Sequence, residues 1–187
     1  MDLTNISKTK SSLLQSIHSH IPDNLKIISG NALRKSDFDN CSNYFNSNEP
    51  ITVINEGLLR YLTFEEKKQV AENIHNIISQ CNGFWITSDV TPKKFIQSQN
   101  KSLLNFNKDL NTITSRNNLK DKFEDINHIQ TFFGDIGLEL IEVHKFNEVK
   151  NDLYSVSALN IIDDKINQTL EGAIVVIMKA KNKSHST

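Results

Sequence analysis

Three short polar stretches, Gly30-Asn31, Asn55-Glu56-Gly57 and Ser88-Asp89, each follow a compact apolar run, LKIIS, ITVI and FWITS. If those runs are parallel strands, the polar ends face one crevice, where open α/β sheets bind ligands. Asn31 brings an amide that both donates and accepts, suited to an adenine edge, and Glu56 brings a carboxylate for a cationic or hydroxyl-bearing ligand. Arg60 is a cation able to pair with a carboxylate, and Tyr61, one turn past Glu56, either points into the crevice or packs. Each also has a plain structural use. Asn31 and Asp89 can cap following helices, Glu56 can open a helix whose dipole favours an acid, and Arg60 can lie solvated on a helix surface.

Much other chemistry is excluded. The sequence contains no GxSxG, HExxH, GxxxxGK[ST] or GxGxxG, which removes the readily named hydrolase, metalloprotease and nucleotide-loop readings. Its 6 histidines are scattered. Only His18 and His20 are close, and a spacing of two on a helix turns them to different faces, so no metal site is expected. Cys41 and Cys81 form neither a CxxC pair nor a disulfide framework and read as free thiols in a reducing compartment.

Basic and acidic residues, 21 and 22, are interspersed, which leaves no basic face for nucleic acid. No apolar run approaches the roughly 20 residues of a membrane helix, and MDLTNISKTKSS lacks the apolar segment of a secretory signal. A cytoplasmic protein without membrane or nucleic-acid partners is expected. The mildly basic tail KAKNKSHST reads as a solvated terminus.

The elements that must position these residues alternate. With 187 residues, one domain spanning 1–187 is expected. Leu13, Leu14 and Ile17 predict an amphipathic helix from Ser7 to His20, closed by Pro22. Leu25 to Ser29 reads as a strand, Ser36 to Phe45 as a weak helix, and Ile51 to Ile54 as the next strand. Thr63 to Gln80 is a helix with Thr63 and Glu66 spaced as a capping box, ended by Asn82-Gly83. Phe84 to Ser88 is a strand, and polar Lys93 to Asn118 is expected to hold irregular helices over a surface or cleft. A helix over Phe123 to Gly134 with Phe132-Phe133 in the core, a strand over Leu138 to Phe146, a helix around Ala158 to Gln168 and a last strand over Gly172 to Ala180 complete the chain. Such alternation predicts an α/β sandwich on a largely parallel sheet, with the last strand inserted beside its predecessor.

Together NLKIISGNAL, ITVINEGLLRYLTFEEKKQVAENI, GFWITSDVTPKKF, FFGDIGLELIEVHKF and EGAIVVIMKA resemble the later part of a class I S-adenosylmethionine-dependent methyltransferase. EGLLRYL in particular resembles the leucine carboxyl methyltransferase group and its polyketide-type O-methyltransferase relatives. The resemblance implies a sheet of order 3-2-1-4-5-7-6 with strand 7 antiparallel. Leu25–Ser29 then stands for strand 3, Ile51–Ile54 for 4, Phe84–Ser88 for 5, Leu138–Lys145 for 6 and Ala173–Lys179 for 7. It further implies S-adenosylmethionine as cofactor, contacted by Asn31, Ala32, Asn55, Glu56 and Gly57. A carboxylate or hydroxyl acceptor would be met by Arg60, Tyr61 and Asp89.

The resemblance has a gap. Strands 1 and 2, with the Gly-rich loop and the ribose-binding acid, have no counterpart, because about 24 residues precede Leu25 and a β-α-β unit needs roughly 30 or more. The expected fold is therefore an incomplete Rossmann-like methyltransferase sandwich. Three readings account for the gap: an N-terminally truncated methyltransferase, which is favoured, a chain completed by a second polypeptide, or a non-catalytic remnant or interaction module.

Overall fold

The computed structural model describes residues 1–18, 21–46, 49–93, 120–149 and 172–181. The irregular helices expected within 93–118 (from Lys94 on) and the helix expected at 158–168 lie outside the described residues. Helices α1 (Thr4–Ile17) and α2 (Lys35–Ser42) precede strand β1 (Thr52–Asn55), a 3₁₀ turn (Leu59–Tyr61) and helix α3 (Phe64–Ile78). Strand β2 (Phe84–Thr87), helix α4 (Ile126–Asp135), strand β3 (Leu138–Lys145), a short helix α5 (Phe146–Val149) and strand β4 (Ile174–Ala180) follow.

The four strands form one sheet of order β1-β2-β4-β3. β1 pairs parallel to β2, with Ile54 opposite Ile86. β4 runs antiparallel to both its neighbours, β2 and β3. Three strands thus share one direction and the carboxyl-terminal strand opposes them, inserted as the sequence predicts. This is the order 4-5-7-6 implied by the resemblance.

Leu25–Ser29 does not join this sheet. Only Ser29 makes a bridge, parallel to Asp2, through Asp2 N–H to Ile28 O at 3.0 Å and Gly30 N–H to Asp2 O at 2.8 Å. A strand needs a neighbour for its N–H and C=O groups, and among the described residues the segment has a single bridge to Asp2, while Leu25 N–H turns back to Pro22 O at 2.9 Å. Leu25 is accordingly exposed.

The core lies on one face of the sheet. Trp85 and Thr87 of β2, Val176 and Met178 of β4 and Leu138 of β3 point into it, buried under α3 and α4. α3 contributes Val70, Ala71, Ile74 and Ile78, and α4 contributes Ile129 and Phe133. Phe133 meets the Trp85 ring edge-on at 5.3 Å, and Phe132 packs at 5.1 Å from Phe133. Phe132-Phe133 is thus a core pair, as the sequence predicts.

The opposite face is more open. Ile54 is 71% exposed, Phe84 is exposed, and Ile86, Val175 and Ile177 are half-buried. On α1 the apolar side chains Ile6, Leu13 and Ile17 are likewise exposed, and only Ser7 is buried, donating to the carbonyls of Asp2 and Ile28. The two-sided sandwich expected from alternation is therefore one-sided among the described residues.

Local chemistry sets the helix ends. Thr63 Oγ1 accepts from Glu66 N–H at 3.2 Å, and Glu66 accepts from Thr63 N–H at 2.9 Å, the reciprocal cap that the spacing predicts. Thr63→Ala is expected to lower unfolding free energy by about 1 kcal/mol in urea denaturation, with Thr63→Ser close to wild type. α4 starts later than predicted because Asp125 caps it, accepting from His128 N–H at 2.8 Å. Phe123 lies before this cap, still buried against Phe64 and Phe132.

Candidate functional site

The carboxyl ends of β1 and β2 meet around Asp89. Its side chain is 0% exposed, and its carboxylate gathers the loop that follows β1. Oδ1 accepts from Gly57 N–H at 2.9 Å and Arg60 Nε–H at 3.2 Å. Oδ2 accepts from Leu58 N–H at 2.6 Å, Leu59 N–H at 2.9 Å and the Asn55 amide at 2.9 Å. A carboxylate has about four lone-pair sites, and five donors occupy these two oxygens. Asp89, expected to meet the acceptor, is instead the anchor of the β1 loop, because its oxygens have no accepting capacity left.

Asn55 is also turned inward. While its Nδ2 donates to Asp89, its Oδ1 accepts from the Trp85 indole N–H at 2.7 Å. This ties the loop to the largest core side chain, so the expected cofactor contact of Asn55 is given over to structure. Glu56 is exposed. Gly57 has φ +70°, and a Cβ built on it would meet nothing within 4 Å, so open space borders the loop here.

Asn31 and Ala32 belong to a different cluster. Asn31 N–H donates to Asp37 Oδ2 at 2.8 Å, and Asn31 Oδ1 accepts from Leu33 N–H at 3.0 Å, an Asx turn. Ala32 O accepts from the Asn73 amide of α3 at 3.0 Å. The structure thus brings Asn55, Gly57, Arg60 and Asp89 into one hydrogen-bonded group and ties Asn31 and Ala32 to α2 and α3. Tyr61 is half-buried in the 3₁₀ turn.

Two lysines that the sequence reading passes over complete the surroundings. Lys67 is 1% exposed, with Nζ 5.1 Å from the Phe64 ring centroid. It donates to Leu62 O, and to Asp121 O at 2.7 Å. Its place between Phe64 and Val70 on the apolar stripe of α3 is the signal that could have found it. Lys122 donates to Arg60 O at 3.1 Å. Burial first, then Lys122 for Lys67 and Arg60 for Lys122, lowers each ammonium to about 8.

A lysine whose folded pKa lies below its unfolded value binds fewer protons folded than unfolded between the two values. Unfolding free energy therefore rises with pH from about 8 to 10.5. The wild type is expected to gain stability across that window relative to Lys67→Met by something of the order of 1–2 kcal/mol. Urea denaturation at several alkaline pH values reads this, and parallel curves would contradict it.

No protein-family model and no curated protein matches this chain. Solved structures do match it in fold. One is an O-methyltransferase family protein from Burkholderia thailandensis, with TM-score 0.55, 12% identity, 98% of this chain and 43% of that one covered. Another is LaPhzM, with TM-score 0.54, 12% identity, 96% of this chain and 41% of that one covered. The chain has a methyltransferase-like fold. It spans less than half the length of these two structures. Among the described residues no helix is long and apolar enough to cross a membrane.

Proposed function

We propose that this chain is the carboxyl-side part of an S-adenosylmethionine-dependent O-methyltransferase, its crevice bordered by the loop after β1. The observation that carries the reading is the Asn55–Arg60 loop. It stands at the carboxyl end of a parallel strand, it is held by Asp89, and it presents an exposed Glu56 beside an open Gly57. That is where an open α/β sheet takes its ligand.

S-adenosylmethionine, when bound, supplies a methyl group activated by a sulfonium. The residues present fit part of such a ligand: Glu56 can accept from hydroxyl or amine groups, and Asn31 keeps its amide N–H donors for an adenine edge. Displacement at the methyl carbon is governed by positioning, so the work of this chain is to hold the crevice in shape. A carboxylate acceptor needs no general base, whereas a hydroxyl acceptor does.

The rest of the crevice, under this reading, comes from polypeptide that lays a strand along β1, either upstream in the same protein or on a second chain. Two features support this. Among the described residues β1 is an edge strand, and its Ile54 is 71% exposed. An apolar edge strand favours pairing with a further strand.

A second reading, a non-catalytic interaction module, is favoured by the internal use of Asn55 and Asp89. Calorimetric titration separates the two. Saturable heat with S-adenosylmethionine in the high-micromolar to millimolar range, weakened about tenfold by Glu56→Gln, is the result expected of the first. Silence at millimolar ligand supports the second.

A further inference from the structure

Two cations, Arg60 and Lys122, gather around one buried acid, Asp89. Both oxygens of Asp89 are occupied, three of the five donors being backbone N–H groups. Arg60 gives Asp89 only its Nε, and its side chain is 46% exposed. Lys122 reaches the Arg60 carbonyl, not the Asp89 carboxylate. Lys122 Nζ lies 3.1 Å from the Arg60 carbonyl; burial first, then the charge of Arg60, holds its ammonium below the usual lysine range, and Asp89 offsets this.

Among the described residues, Glu56 of the same loop is exposed, while the acids nearer Lys122 are engaged. Asp121 Oδ1 accepts from Phe64 N–H, Glu66 closes the cap of α3, and Glu124 pairs with Lys93. Lys67 is held by two carbonyls. The segment carrying Lys122 is fastened beside the end of β2, because Lys93 N–H donates to Phe123 O at 2.8 Å. Arg60 therefore shares Asp89 Oδ1 with Gly57, which borders open space, at the carboxyl ends of β1 and β2, and Lys122 joins it through the Arg60 carbonyl.

We infer that Arg60 and Lys122 together form a binding site for a carboxylate group of the ligand. Arg60 offers the planar N–H pair of its terminal nitrogens, which matches a carboxylate geometrically, and Lys122 offers a point charge. The carboxylate can belong to a methyl acceptor or to the amino-acid end of the cofactor. Its assignment as either rests on the methyltransferase reading, but the anion site itself does not.

The test follows the Arg60 Nε–H and Lys122 Cε signals by NMR in the full chain while benzoate is added at constant ionic strength. Saturable shifts at both positions are expected. They should be weakened five-fold or more in Lys122→Gln and absent when chloride replaces benzoate. Equal shifts with chloride, no saturation, or unchanged affinity in Lys122→Gln would overturn the inference. Adding S-adenosylhomocysteine separates the sources. Displacement of benzoate supports the cofactor carboxylate, and simultaneous binding supports an acceptor carboxylate. The site can fail while calorimetry still shows cofactor binding, and the reverse, so the two proposals fall separately.

Discussion

Asp89→Asn is expected to lower unfolding free energy by roughly 3 kcal/mol and to loosen the loop after β1. The carboxylate is buried and receives five hydrogen bonds at 2.6–3.2 Å, three of them from the backbone of Gly57, Leu58 and Leu59. Asparagine keeps one accepting oxygen and turns an NH₂ toward groups that are themselves donors. At least two N–H groups lose their acceptor, and each buried unsatisfied group costs about 1–3 kcal/mol. Arg60→Gln removes only the half-exposed partner and is expected to cost less than about 1 kcal/mol. Urea denaturation of both variants gives the comparison. Amide exchange at Gly57, Leu58 and Leu59 should accelerate in Asp89→Asn more than exchange in α3. A loss under about 1 kcal/mol would show that Asp89 does not organise the loop.

Gly83→Ala is expected to be similarly severe for a different reason. A Cβ at Gly83 would lie 2.2 Å from Ile51 O, 3.1 Å from the Ile78 Cβ and 3.2 Å from the Cys81 Sγ. The oxygen cannot move aside cheaply, because it accepts from Phe84 N–H at 3.0 Å where β1 and β2 begin to pair. Relief therefore requires a backbone shift at the root of the parallel pair. A loss of about 3 kcal/mol or more is expected, read by urea denaturation together with reduced protection of the β1 and β2 amides. Near wild-type stability would mean that the end of α3 and the start of β2 are less closely packed than described.

The same residues show what the sequence made legible. Thr63 and Glu66 act over three residues, so their cap could be read directly, and the apolar runs of β1, β2 and β4 could be read from composition. The order in which those strands pair is non-local. It came from the resemblance, and the sheet has that order. Leu25–Ser29 has a strand's composition, but among the described residues it pairs only through the single bridge of Ser29 to Asp2, and composition carries no information on partners. Phe123 has the spacing of a helical residue, but the cap at Asp125 overrides it.

At the site, position was more legible than orientation. The polar residues singled out at strand ends include four that meet in one hydrogen-bonded group, Asn55, Gly57, Arg60 and Asp89. It could not tell which side chains face outward, because that depends on contacts across about 30 residues of sequence, such as Asn55 with Trp85 and Arg60 with Asp89. Lys122 was missed for the same reason. Its value lies in its nearness to Arg60, which sequence spacing does not show.

The central claim is that the loop after β1 borders a cofactor crevice. Its most direct test is an amide NMR titration of the full chain with S-adenosylmethionine. Saturable shifts concentrated at Glu56, Gly57 and the neighbouring Asn55–Arg60 amides, reduced in Glu56→Gln, are the result predicted. Shifts confined to other parts of the molecule, or none at millimolar ligand, would contradict it.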